Sequence, residues 1–133
     1  MAPKALSSLF LKSAIASLVM LTGLAAAVEH KVGDDAGWTL PPKSNPSFYD
    51  SWASTKKFVV GDTLVFDYRT SVHNVLEVKK EEYDACTQHS PLGMFYNSPT
   101  KFELKEPGDY YYYCGVGVHC EGMQKLHITV QPN

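Results

Sequence analysis

The stretch Tyr110–Val130, YYYYCGVGVHCEGMQKLHITV, decides how the rest of this chain is read. It opens on a run of tyrosines ending at Cys114 and closes on an alternating segment, QKLHITV. Within that segment Gln124, Leu126, Ile128 and Val130 share one face, while Lys125, His127 and Thr129 share the other. Period-two alternation of this kind predicts a half-buried β-strand. Between the two runs, His119 follows Cys114 by five residues and Gln124 follows His119 by five, with Met123 beside it. A thiol, an imidazole and an amide or thioether are thus offered together where two strands meet.

Working outward, similar short runs recur upstream. Phe58-Val59-Val60 leads into Gly61-Asp62, Thr63–Tyr68 is β-branched and aromatic, and Val72–Val78 reads VHNVLEV. Val28–Val32 predicts a first strand. Phe48–Lys56 and Glu81–Cys86 predict short helices, the first with Tyr49, Trp52 and Ala53 on one side. Pro41-Pro42, Pro46, Pro91, Pro99 and Pro107-Gly108 punctuate the connections. Short strands at this spacing predict an all-β domain, a sandwich or Greek-key barrel with one or two short helices.

Composition agrees with a globular chain. Of 133 residues, 44% are hydrophobic, 20% charged and 12% aromatic, a balance unlike that of disordered or fibrous proteins. The basic runs go no further than Lys56-Lys57 and Lys79-Lys80, which argues against a nucleic-acid partner. Residues 1–27 read as a secretory signal. Lys4 and Lys12 give a positive start, Ser13–Ala27 is a low-polarity run, and Ala25-Ala26-Ala27 offers small residues before Val28-Glu29-His30-Lys31. Residues 28–133 are then the mature domain, about 106 residues, in which folding buries ~60–70% of the chain's surface. Loss of Lys4 and Lys12, with no acid, takes the formal charge from −2 to −4.

No second apolar segment follows Val130, so neither a transmembrane nor a lipid anchor is predicted. The expectation is a secreted, extracellular monomer. Asn45-Pro46-Ser47 and Asn97-Ser98-Pro99 do not form glycosylation acceptors.

All three cysteines, Cys86, Cys114 and Cys120, lie in the mature domain. An oxidising compartment predicts one disulfide and one sulfur left over. Neighbouring side chains in an extended segment diverge, so if His119 faces a site, Cys120 faces away and is free to pair with Cys86. Cys114 would then be the remaining thiol. By itself it would read as a small buried hydrophobe, and His73, set in the apolar run VHNVLEV, as a hydrogen-bonded core residue. Together with His119 and a weak fourth donor they form a different constellation. Cu(II) favours tetragonal geometry, whereas soft Cu(I) accepts thiolate and low coordination. A trigonal His2Cys set with a weak axial ligand lies between the two preferences. Structural zinc sites usually hold four firm ligands, so an amide or thioether in fourth place argues against zinc.

Tyr110–Val130 resembles the ligand loop of the plant blue copper proteins called phytocyanins, in particular their stellacyanin-like branch. The resemblance extends over nearly all of residues 28–130. It includes Val32-Gly33-Asp34-Asp35-Ala36-Gly37-Trp38, Phe58–Phe66, His73-Asn74-Val75 and Asp84-Ala85-Cys86. It implies a cupredoxin fold, a Greek-key sandwich of two sheets with copper at one end. It also implies His73, Cys114 and His119 as equatorial ligands, a Cys86–Cys120 disulfide, and the edge of His119 as the electron port. The family's axial position, five residues after the second histidine and before Lys and an apolar residue, falls on Gln124. Met123 stands where glycine is common, which keeps it as the alternative. Strand parity favours Gln124, since Met123 shares the face of Lys125 and His127.

Other candidates carry simpler readings. Cys86-Thr87-Gln88-His89 resembles half a zinc motif, but an oxidised Cys86 cannot ligate. His30 and His127 read as exposed strand residues, Tyr110–Tyr113 as core plus rim, and Asp34-Asp35 and Glu81-Glu82 as solvated charges. A mononuclear site filled by four donors leaves no open position for substrate, so the chain reads as an electron carrier and not an enzyme. Its redox partner, a protein or small reductant, is not specified by these residues. The alternative is an extracellular phytocyanin-like interaction or copper-binding protein without a redox role.

Overall fold

The computed structural model describes residues 26–133. The expected secretory signal, residues 1–27, therefore lies almost wholly outside the described residues. Eight strands follow in chain order: β1 (Glu29–Lys31), β2 (Phe58–Val59), β3 (Thr63–Phe66), β4 (Val75–Val78), β5 (Gly93–Phe95), β6 (Thr100–Glu103), β7 (Gly108–Tyr113) and β8 (Lys125–Gln131). Two short helices accompany them, α1 (Phe48–Ser54) and α2 (Lys80–Ala85). One sheet has the order β1-β3-β6 and the other β2-β8-β7-β4-β5. The pairs β1–β3 and β2–β8 are parallel and all other pairs antiparallel.

Alternation along each strand explains how the layers close. Leu64 and Phe66 of the smaller sheet meet Val75, Tyr112, Leu126, Ile128 and Val130 of the larger one. Trp38, Tyr49 and Leu104 fill the space between them, and the rings of Trp38 and Phe66 meet edge-on at 4.9 Å. Tyr113, the next residue along β7, points to the opposite face. There it joins Leu76, Val78 and Cys120 in a second cluster against Tyr83, Cys86 and Tyr111. Both faces of this end of β7 are buried because α2 packs on it.

Approach to the larger core ring is controlled by one tight bend. Gly33 has φ 77°, and a Cβ there would lie 2.4 Å from the Gly37 carbonyl oxygen. A side chain cannot be accommodated, and the bend delivers Trp38 into the core.

The structure departs from the sequence reading in three places. The strand expected from Val72 begins only at Val75. Ser71 has φ 74°, and the N–H groups of Val72 and His73 both donate to the Arg69 carbonyl at 3.1 Å, so a turn replaces the strand's first residues. Strands β5 and β6 lie outside the runs read from the sequence: β5 has only three residues, and β6, Thr100-Lys101-Phe102-Glu103, alternates but is short and half charged. His30 is buried rather than exposed, because its Nε2 lies 2.8 Å from a carboxylate oxygen of the buried Asp62. His127 is partly exposed, stacked on Tyr111 at 4.6 Å and 2.9 Å from Asp109 Oδ1.

Candidate metal centre

Three segments meet at one end of the sandwich. His73 comes from the turn before β4, Cys114 directly follows β7, and His119 lies in the loop that leads to Gln124 and β8. The Cys114 N–H donates to the Gln124 carbonyl at 3.0 Å, adding a rung beyond the β7–β8 ladder. The loop is folded on itself by His119 N–H to Val116 O and Gln124 N–H to His119 O, each 3.0 Å.

A second set of bonds ties the distant His73 segment to this loop. The Gly115 N–H donates to Asn74 Oδ1 at 2.7 Å, while Trp38 Nε1 donates to the Asn74 carbonyl at 2.9 Å. Gln88 Nε2 holds the Gly115 carbonyl at 2.9 Å. A Cβ at residue 115 would lie 2.9 Å from Leu76 Cδ1 and 3.2 Å from Gln88 Nε2, so both side chains would have to shift to admit one. Asn74, Trp38 and Gln88 carry no positional signal in the sequence that marks them as supports; Asn74 and Trp38 stand only within the motifs His73-Asn74-Val75 and Val32–Trp38.

Among the described residues, His73, Cys114 and His119 form the group of three whose ligand atoms lie within 4.8 Å of one another. Cys114 Sγ is 3.4 Å from His119 Nδ1 and 3.9 Å from His73 Nδ1, and the two imidazole rings are 5.1 Å apart. Cys114 is fully buried, His73 is 9% exposed and His119 is half-buried. Burial pushes the Cys114 thiol up from its ordinary range, opposed by the N–H groups of Asn74 and Val116. Burial also pushes His73 down, with His119 adding to it and the nearby Gln124 amide working the other way. Burial thus favours the protonated thiol of Cys114 and the neutral imidazole of His73.

Gln124 supplies the sharpest observation. It is 0% exposed, and neither Oε1 nor Nε2 reaches hydrogen-bond geometry with a neighbour, although the amide is close enough to the His73 ring to favour its protonated form. A buried amide without partners costs stability unless something else takes its lone pair, and this one lies beside the His73 ring. Met123 is partly exposed, in left-handed backbone at φ 78°. Two nitrogens, a sulfur and an orphaned amide fit a copper ion.

Cys86 and Cys120 are joined by a disulfide, with Cα atoms 5.7 Å apart, and Cys114 is the free thiol. This is the pairing the resemblance implied, and it removes Cys86 from any zinc motif. Of the acidic pairs, Asp34 meets Lys56 at 3.3 Å and Glu82 accepts the Ser90 N–H. Around the centre, Val118 is 74% exposed, and Leu40 and Val72 are exposed as well.

Comparison with known proteins agrees with this architecture. The model of the plastocyanin-like domain matches residues 38–124. The chain is 42% identical over 126 residues to early nodulin-like protein 14 of Arabidopsis thaliana, covering 94% of this chain and 69% of that protein. It is 40% identical over 101 residues to stellacyanin of Toxicodendron vernicifluum, covering 76% and 94% respectively. The solved structure of cucumber stellacyanin with Cu2+ superposes with a TM-score of 0.75 at 40% identity, over 82% of this chain and 99% of that one. By fold, by sequence and by the grouping of His73, Cys114 and His119, the chain belongs to the phytocyanin family of plastocyanin-like domains.

Proposed function

We propose that this protein is a secreted electron carrier holding one type 1 copper ion between His73, Cys114, His119 and Gln124. The carrying observation is the convergence of three ligand atoms within 4.8 Å beside a fully buried amide that has no other partner. Copper supplies a reversible one-electron couple, Cu(II)/Cu(I). Cys114 must give up its thiol proton when metal binds, so affinity rises with pH. His73 offers its nitrogen without losing a proton, because burial keeps it neutral. Asn74 and Gln88 hold the backbone at Gly115, and the Cys86–Cys120 bond anchors the residue next to His119. The ligands thus keep one arrangement in both oxidation states, which keeps reorganisation small.

Four donors fill the centre, so it transfers electrons and does not bind substrate. His119, flanked by exposed Val118, is the port through which a redox partner, a protein or small reductant, comes close. In this reading the domain acts as a monomer at residues 28–133, after loss of a secretory signal at residues 1–27. Among the described residues no helix is long and apolar enough to cross a membrane.

The test is the visible spectrum of the secreted protein with added Cu(II). An intense blue band that disappears on reduction and returns on oxidation is expected, and Cys114→Ser should lose the band while keeping its far-UV circular dichroism. A folded, colourless protein whose Cys114 still titrates as a thiol would replace this reading with a non-redox interaction role.

A further inference from the structure

One buried carboxylate gathers the start of β1. Asp62 is 1% exposed; its Oδ1 accepts the Val28 N–H at 3.0 Å, and its Oδ2 accepts the Val59 N–H at 3.1 Å and lies 2.8 Å from His30 Nε2. The Phe58 ring packs against His30 at 4.6 Å and walls the site. The Val28 carbonyl is held in turn by the Thr63 N–H at 2.9 Å. Ala26 and Ala27 are exposed, so the chain before Val28 leads outward. Among the described residues His30 is the one basic side chain paired with Asp62.

Val28, which donates to Asp62 Oδ1, is also the first residue after Ala25-Ala26-Ala27. We propose that hydrolysis of the Ala27–Val28 bond creates an α-ammonium group on Val28 that forms an ion pair with the buried Asp62. Removal of the signal thereby completes the docking of β1. The hydrolysis, by a secretory processing protease, consumes one water. Ala27 leaves with a carboxylate, and Val28 keeps the amine, which takes up a proton at neutral pH. The uncut chain offers Asp62 a single neutral N–H at this place. The ammonium offers three donors and a full charge, and charge-assisted bonds are roughly twice as strong as neutral ones. This inference rests on the secretory reading of residues 1–27 and is independent of copper.

The experiment uses the full 133-residue chain, secreted from a plant host. Mass spectrometry identifies its first residue, and pulsed acylation at pH 7 reports the reactivity of its α-amine. The expected result is a chain beginning at Val28 whose α-amine acylates at least about tenfold more slowly than in the unfolded chain, the effect of one pKa unit. Asp62→Asn, which leaves Val28 equally exposed, should restore the fast rate while lysine reactivities stay unchanged. A serine inserted between Ala27 and Val28 should do the same, and it serves as the test if Asp62→Asn does not fold. A first residue other than Val28, or an α-amine equally reactive in native and variant chains, overturns the ion pair. A chain that retains residues 1–27 overturns the secretory reading with it.

Discussion

Replacing Gln124 with methionine should stabilise the copper-free protein, although the residue sits at the centre of its proposed function. The side chain is fully buried, and both polar atoms of its amide lack partners. An unsatisfied buried polar group costs about 1–3 kcal/mol. Methionine has nearly the same length and volume, so it fills the space without a cavity or overpacking. The net gain should be about 1–3 kcal/mol. With a urea slope of about 2 kcal/mol per molar for a domain of this size, the unfolding midpoint should rise by about 0.5–1.5 M. The assay is equilibrium urea unfolding of copper-free protein with the Cys86–Cys120 bond intact. An unchanged slope would place the effect in stability itself. Cu(II) should then stabilise wild type more than the variant, because ligand binding adds to stability with the logarithm of affinity. A Gln124→Met protein that unfolds at equal or lower urea would refute the reasoning, since it would mean that the amide is satisfied without metal.

Three further outcomes follow from the same geometry. In the copper-loaded protein Gln124→Met should raise the reduction potential by more than about 59 mV, a tenfold change for one electron; voltammetry in which Met123→Ala shifts the potential and Gln124→Met does not would reassign the fourth donor. Burial disfavours the Asp62 charge, but the bonds from His30, Val28 and Val59 outweigh it and hold the carboxyl below its ordinary range. Its contribution is therefore complete above the unfolded pKa of about 3.9 and is lost as pH falls through the lower folded value, so the gap in Tm between wild type and Asp62→Asn should close between about pH 5 and pH 2. The Cys86–Cys120 bond spans a separation of 34 residues, and chain entropy assigns it about 3–4 kcal/mol; the double variant Cys86→Ala, Cys120→Ala should lose about that much in urea unfolding.

Much of the architecture is legible because strands report their own faces. The alternation of Gln124, Leu126, Ile128 and Val130 predicted an inward face, and all four are buried in the structure. The tyrosine run was legible as a strand, but not in how far it is covered. Tyr112 and Tyr113 are both fully buried because α2 closes the second face, and a strand's own period cannot announce what packs over it. β5 and β6 are less legible: Gly93–Phe95 is a strand by its pairing with β4, while the alternation of Thr100–Glu103 is only four residues long and becomes decisive through pairing with β3.

By itself, then, the sequence determined the residue types and their local directions: the thiol, the imidazoles, the amide, the strands that carry them and the free place of Cys114. Tertiary structure alone decided which distant groups meet. His73 is 41 residues from Cys114 in the chain, yet their Nδ1 and Sγ atoms lie 3.9 Å apart, and Asn74 bonds the loop at Gly115 across the same separation. His30, by local pattern an exposed strand residue, is buried because Asp62 lies 32 residues away in sequence and 2.8 Å away in space. Periodicity records the solvent on one side of an element and the core on the other. The register between elements, which brings specific atoms within bonding distance, emerges only when the whole core packs at once.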